Sequence, residues 1–421
     1  MKPEREQGAP IPDKVVIVND ASTAWGGATG LAILSAELLV ERGISVTFVA
    51  GDEGTGAQLT SAGVEIVALG GRGLVTETPL RAATHGIYNP AARDLLAGWI
   101  ATNDSPGVVY HLHGWSKILS PAIFDALRNV AERTFIHAHD FFLACPNGGY
   151  MDYRRNRPCS LTPLTVGCLG TNCDKRSYAQ KLWRAMRQAT LNRRLLEVPW
   201  AGVVMIHEQM TTYLEKAGLN RDLLVPLPNP TSPLTSERVR AEENRGFVFI
   251  GRVEAEKGIE DAIAATRSAH VELTVVGEGP LREALAAANP DILFTGWKSR
   301  NEMAEIVSSK RALLMPSRYP EPFGLVAIEA ARSGLPVIIA ETAFLSEGIT
   351  RLGIGKSCNT RDVVAFAACI ADLHDLSAEE VRRMSLRAMD EAGQLSTTPA
   401  QWVDHLLDLY GSALEGRHDR T

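Results

Sequence analysis

Apolar, β-branched runs recur along the chain, each closed by small or polar residues and followed by a stretch with apolar positions every third or fourth residue. In the first half such runs fall at 14–18 (Lys-Val-Val-Ile-Val), 45–50, 64–68, 107–111, 134–137 and 202–206. Runs apolar at every position suit strands buried on both faces of a parallel sheet. A glycine-rich loop containing Gly26, Gly27 and Gly30 follows the first run, and a helix is predicted from about 31 to 42, stopped by Gly43. The second half repeats the alternation with runs at 246–250, 272–276, 292–294, 311–317 and 336–340, and with helices starting at Ile259 and passing through Ala330 and Ala331. Strand–helix alternation of this kind predicts a doubly wound α/β sheet in each half. Between them, Pro226-Leu227-Pro228-Asn229-Pro230-Thr231-Ser232-Pro233 reads as a hinge. The expected organisation is an N-terminal domain over 1–228, with an insertion at 141–176, a C-terminal domain over 229–398 and a terminal segment 399–421. That segment opens with an amphipathic helix over 399–414, expected to return to the first domain.

Composition adds limits. A chain of 421 residues is too long for one core, and 45% hydrophobic with 22% charged residues is globular. A net charge of −6 gives no reason to expect a nucleic-acid partner. No run approaches the roughly 20 apolar residues of a membrane span, and the polar start 1–7 lacks a signal-peptide core. A cytoplasmic protein with reduced cysteines is therefore expected. Charge is uneven, however: 151–196 holds ten Lys or Arg against Asp152 and Asp174. Within it, 178–196 predicts a helix with Ala179, Leu182, Trp183, Met186 and Ala189 as its apolar stripe, and Lys181, Arg184, Arg187, Arg193 and Arg194 on the other faces. A solvated basic face is the plain reading; docking to the anionic inner face of a membrane, or to an anionic acceptor, is the sharper one.

The chemistry concentrates where strands give way to loops. Glu321 and Glu329 stand eight positions apart around Pro322-Phe323-Gly324-Leu325, between a strand and a helix expected to begin near Phe323. Strand, tight loop and helix start is a local geometry for holding an anion on backbone N–H groups. Pro322 fixes φ near the helix start, and Gly324 lets backbone approach a ligand. On that placement Glu329 lies about two turns in. The loop Gly251-Arg252-Val253-Glu254-Ala255-Glu256-Lys257-Gly258 supplies a forked and a mobile cation after another strand, as a leaving diphosphate requires. Gly277-Glu278-Gly279-Pro280 and Gly296-Trp297 end two further strands.

Together, residues 313–336 resemble the Glu-x7-Glu signature of the retaining glycosyltransferases of family 4, and Gly251-Arg252…Lys257-Gly258 resembles their donor motif. The resemblance implies a GT-B fold, two Rossmann-like domains facing across a cleft, and a nucleotide-sugar donor with no cofactor required for catalysis. It implies that Glu329 holds the ribose and Glu321 the donor sugar. Phe323, Gly324 and Leu325 would then offer amides to sugar and phosphate, with Gly277, Gly279 and Trp297 around the nucleoside. Transfer to a sugar or lipid-linked acceptor, in glycolipid or cell-surface polysaccharide synthesis, is likewise implied by the family. The loop of Gly26 and Gly27 lacks the Gly-x-Gly-x-x-Gly fingerprint and resembles the family's phosphate-side Gly-Gly loop. His139-Asp140 resembles its His-Asp, the histidine reaching the donor sugar, while His113 and Trp115 resemble its acceptor-side loop. His207 stands where many relatives have serine.

Cys145, Cys159, Cys168 and Cys173 crowd the insertion with spacings that lack Cys-x2-Cys knuckles. A structural zinc or iron–sulfur site is one reading and unliganded thiols the other. Competing functions are a sugar-nucleotide epimerase on the same fold, an NAD-dependent dehydrogenase disfavoured by the missing fingerprint, and a non-catalytic metal-binding scaffold.

Overall fold

The computed structural model describes residues 10–24 and 26–418, so the polar stretch 1–7 lies outside the described residues. The chain forms two compact units. The first takes the chain up to Gly149, Leu161–Leu227 and the stretch from Ala400 onward, and the second Tyr150–Ser160 and Pro228–Pro399.

The first unit is built on β1 (Lys14–Asn19), β2 (Ser45–Ala50), β3 (Glu65–Ala68), β4 (Val108–Leu112), β5 (Thr134–Ala138), β6 (Gly202–Met205) and β7 (Leu224–Pro226), in the order β3-β2-β1-β4-β5-β6-β7. Every pairing is parallel; Val15 of β1, for example, stands opposite Val46 and Val109. The sequence analysis missed β7, a three-residue edge strand ending on proline. On one face α1 (Gly27–Glu41) and the C-terminal helix (Pro399–His418) close a core of Val15, Ile17, Phe48, Leu39, Trp402, Leu406 and Tyr410. Arg42, after α1, pairs with Asp404 of that helix.

The basic helix, α2 (Tyr178–Leu195), begins where expected, its N-cap Ser177 accepting from Gln180 N at 3.1 Å. The face assigned to its apolar stripe is corrected. Leu182 and Met186 are exposed, at 40% and 55%, while Lys181, Ala185, Arg187, Gln188, Leu191 and Leu195 are buried. Arg187 donates to Ser116 O at 2.9 Å and stacks over Trp115, Phe142 and Trp183. Arg184 pairs with Asp174 at 3.0 Å. Aromatic rings and thiols replace the aliphatic partners that periodicity presumes.

The second unit has β8 (Gly246–Ile250), α3 (Ile259–Ser268), β9 (Leu273–Val276), β10 (Leu293–Gly296), β11 (Lys310–Met315), α4 (Leu325–Arg332), β12 (Val337–Ala340) and β13 (Gly355–Cys358). Its parallel sheet runs β10-β9-β8-β11-β12-β13. Phe247, Phe249, Val275, Leu314 and Ile338 pack under α3 and under Phe366 and Ile370 of the helix Val363–His374. The edge strand β13, Gly-Lys-Ser-Cys and only half-buried, carries no apolar run and was not predicted. Helix α4 starts at Leu325 instead of Phe323, so Glu329 lies little more than one turn in.

Candidate functional site

In the second sheet the chain leaves β8 on one side, through β9 and β10, and returns on the other at β11. The crevice beyond the carboxyl ends of β8 and β11 is thus a topological switch point, where open α/β sheets hold ligands. The loops there are 251–258 and 316–324. They are locked together at Gly258, whose φ of +73° is left-handed and where a Cβ would lie 2.0 Å from Pro316 O; only glycine fits. Arg318 N donates to Glu256 O at 2.9 Å, and the Arg318 guanidinium binds Asp261 in the first turn of α3, with Nη2 to Oδ1 at 2.7 Å.

This locking brings Lys257 and Glu321 into one cluster. Lys257 Nζ donates to Glu321 Oε1 at 2.5 Å and to Tyr319 Oη at 2.9 Å, and Ser317 Oγ donates to Glu321 Oε2. Burial opposes charge on both groups. Glu321 nevertheless holds the ammonium above its usual range, and Lys257, with Ser317 and Tyr319, holds the carboxylate below its own. The expectation of a mobile lysine is corrected: its charge is clamped. Arg252, by contrast, is 66% exposed and donates to Glu254 Oε1 at 2.8 Å. The structure leaves it in solvent near the loop start, not fixed beside Lys257.

Gly324 caps α4 at φ 66°, ψ 58°, and a Cβ there would meet Met315 Sδ and Cε at 2.7 Å. Phe323 is buried, and Leu325 is half-buried as the first helical residue. Glu329 is half-buried, and its carboxyl is pushed up to about 7 by burial, with Arg300 and Arg332 pulling the other way. Gly277 meets the first loop: Gly251 N donates to Val276 O at 3.0 Å, and Gly277 N to Gly296 O at 2.9 Å. Val253 N donates to Glu278 O at 2.8 Å and Gly279 lies against Val253. Trp297 is 74% exposed, its backbone N–H donating to Glu278 Oε1 at 3.3 Å.

In the first unit the switch point lies between β1 and β4. Gly26 caps α1 and Gly27 begins it, both exposed, and a Cβ at Gly26 would meet nothing within 4 Å. Sequence reasoning missed Asp20, whose buried carboxylate ties down the loop after β4: Oδ2 accepts from Lys117 N, and Oδ1 from Ile118 N and Leu119 N, at 2.8–2.9 Å. Its signal was its place just past the first strand.

Four histidines stack at the ends of β4 and β5. The His137 and His139 rings are 4.1 Å apart and 5° from parallel, and His111 and His113 are 4.3 Å apart. His111 Nδ1 bonds Tyr410 Oη at 2.6 Å, His137 Nδ1 meets His111 Nε2 at 3.2 Å, and His113 Nδ1 meets His139 Nε2 at 3.0 Å. Burial depresses all four; His111 and His139 fall to about 3, leaving neutral rings near pH 7. His139 is half-buried and Asp140 exposed, with Oδ1 accepting from Phe142 N at 2.8 Å. Two acceptor-side expectations are corrected. His113 is buried against His139, and Trp115 is buried between Phe124 and Arg187, so neither presents a face to a sugar acceptor.

At the cysteine cluster, two of the four sulfurs face a lysine. Cys168 and Cys173 both accept from the buried Lys181 Nζ, at 3.3 and 3.2 Å. Burial disfavours that ammonium, but the two sulfurs hold it charged. Cys173 also accepts from Asn147 Nδ2 at 3.4 Å, and Cys145 Sγ donates to Asn147 Oδ1 at 3.1 Å. A lysine cation stands where an ion would, and Cys159 belongs to the segment grouped with the second unit. Among the described residues no disulfide joins the cysteines. Among the described residues no helix is long and apolar enough to cross a membrane.

Residues 234–390 match the family model for glycosyl transferases group 1. A glycogen synthase of Mycobacterium tuberculosis is 37% identical over 148 residues, covering 32% of this chain and 36% of the relative. A GDP-mannose-dependent alpha-(1-6)-phosphatidylinositol dimannoside mannosyltransferase of the same organism is 36% identical over 129 residues, covering 29% and 34%. The chain thus spans about a third of the length of these curated relatives. Among solved structures, Anabaena Alr3699/HepE in complex with UDP superposes with a TM-score of 0.65 at 15% identity, over 95% of this chain and 100% of that one. The sucrose-phosphate synthase (tll1590) of Thermosynechococcus elongatus gives 0.69 at 17%, over 96% and 100%. The chain therefore has the GT-B fold of glycosyltransferases. The similarity to glycosyl transferases group 1 falls within the second unit, over residues 234–390.

Proposed function

We propose that the protein is a retaining glycosyltransferase that moves a sugar from a nucleotide-sugar donor to an acceptor hydroxyl, in glycolipid or cell-surface polysaccharide synthesis. The observation that carries the reading is the buried Lys257–Glu321 pair at the second unit's switch point. A half-buried lysine kept charged by Glu321, just before the N-terminus of α4, supplies what a leaving diphosphate needs as charge develops on it. Glu321, held by Ser317 and Tyr319, is placed for the hydroxyls of the donor sugar, and Glu329 for the ribose. In the reaction the bond from C1 to the diphosphate oxygen breaks and the bond from the acceptor oxygen to C1 forms. The acceptor's proton passes to the departing phosphate on the same face. Arg252, exposed at the start of its loop, adds a second cation to the diphosphate, and Gly277, Gly279 and Trp297 border the nucleoside. The solved relative with UDP supports a nucleotide ligand for this fold.

A thermal-shift screen against UDP-, GDP- and ADP-sugars tests the donor. The matching nucleotide, at about 100 times its Kd, should stabilise the protein by about 2.7 kcal/mol. With that donor, nucleotide release should depend on acceptor, and NMR of the product should show the donor's anomeric configuration. Lys257→Ala and Glu321→Ala should each lower turnover about 100-fold or more. Unchanged rates in folded variants, or a sugar isomer formed without acceptor, overturn the proposal.

A further inference from the structure

We propose that His111, His113 and His137 form a binding site for a divalent transition-metal ion of the zinc class, inside the first unit and separate from the donor chemistry. Each of the three offers one ring nitrogen, and these nitrogens lie within 4.8 Å of one another. Imidazole is a preferred ligand for zinc, copper, nickel and iron. A tetrahedral zinc with nitrogens at 2.0–2.1 Å keeps them about 3.3 Å apart. His111 Nε2 and His137 Nδ1 are already 3.2 Å apart. Closure on an ion then asks for side-chain rotations of roughly an ångström, with the strands in place.

Two further observations point to a ligand. The histidines are nine-tenths or more buried, yet His113 Nε2 and His137 Nε2, with His139 Nδ1 beside them, have no hydrogen-bond partner among the described residues. A set of rings kept only for packing would leave these atoms desolvated with nothing in return. An ion bound at His113 Nε2 removes that mismatch there. The second observation is the outer partner. Metal-bound histidines use their other nitrogen to bond a neighbour that fixes ring orientation, and Tyr410 Oη holds His111 Nδ1 at 2.6 Å in that role, leaving Nε2 for the ion. His139 is half-buried and hydrogen-bonded to His113, which places it at the open side as a fourth ligand or as the border of a bound water. Because His139 is coupled to His113, an ion here would also set the tautomer of His139.

The test uses the tag-free full-length chain, stripped with a chelator and titrated with Co2+ alone, then Zn2+. One equivalent of Co2+ should bind with d–d absorption and no thiolate-to-cobalt charge-transfer band, Zn2+ should displace it, and Tm should rise. His113→Asn with His137→Asn should weaken binding at least tenfold, while Cys168→Ser with Cys173→Ser leaves it unchanged. Absence of stoichiometric binding overturns the proposal. So does a charge-transfer band that disappears with Cys168 and Cys173, or full affinity in the folded histidine variant. If the histidine variant does not fold, the spectrum of the native chain decides between nitrogen and sulfur ligation.

Discussion

Lys257 and Glu321 show how a single contact converts two surface-type residues into a buried pair. Each alone would shed its charge on burial; together they keep it, because attraction at 2.5 Å and the hydroxyls of Tyr319 and Ser317 replace the lost water. Removing one partner leaves an uncompensated charge, so Lys257→Ala should cost about 3–5 kcal/mol of stability. Adding Glu321→Ala should recover part of that loss, a coupling that a double-mutant cycle in urea would read as non-additivity. Glu329 behaves in the opposite sense. Its folded carboxyl titrates near 7 against an ordinary 4.5, so the folded state holds a proton that the unfolded chain has released. That contribution is complete below pH 4.5 and is lost as pH rises through 7. Thermal unfolding at pH 5 and pH 8 should therefore show the native chain losing more Tm than Glu329→Gln. The residue types were legible in the sequence, as was their position at strand ends. The pairing was not, since it joins positions 64 apart.

Helix α2 carries the clearest lesson among the elements. Its start at 178 is where the apolar spacing put it, and the structure shows Ser177 capping it there. Its buried face was not readable, because periodicity marks where apolar residues lie and says nothing about which neighbours await them. Here the neighbours are Trp115, Phe142, Cys168 and Cys173, which accept an Arg or Lys better than a Leu. Met186→Ser and Leu182→Ser should change stability by about 0.5 kcal/mol or less. Arg187→Ala should be far costlier, and equilibrium urea unfolding separates the two cases. The loop after β4 teaches the same point through Asp20, which supplies acceptors to three successive amides. Asp20→Ala should cost about 1–3 kcal/mol and speed hydrogen exchange at Lys117, Ile118 and Leu119.

At the scale of the molecule, the last helix belongs to the first unit although it follows the whole second unit in sequence. Trp402, Val403, Leu406 and Tyr410 are fully buried there. At about 1.5–3 kcal/mol for each large side chain, their loss would consume most of a typical 5–15 kcal/mol stability. A chain ending at Thr398 should therefore lack cooperative unfolding of the first unit, which circular dichroism in urea would report. The sequence by itself determined two parallel α/β sheets, the division between them near Pro228, and the loops that carry Lys257, Glu321 and Glu329. Those features follow from local rules: β-branched runs make strands, glycines and prolines end them, and parallel strands put their loops at one edge. Only the tertiary structure decided which helix face is buried, that Lys181 sits between two thiols, and that Tyr410 reaches His111 across 299 positions. Burial and charge pairing depend on groups distant in the chain, and no local pattern encodes their approach.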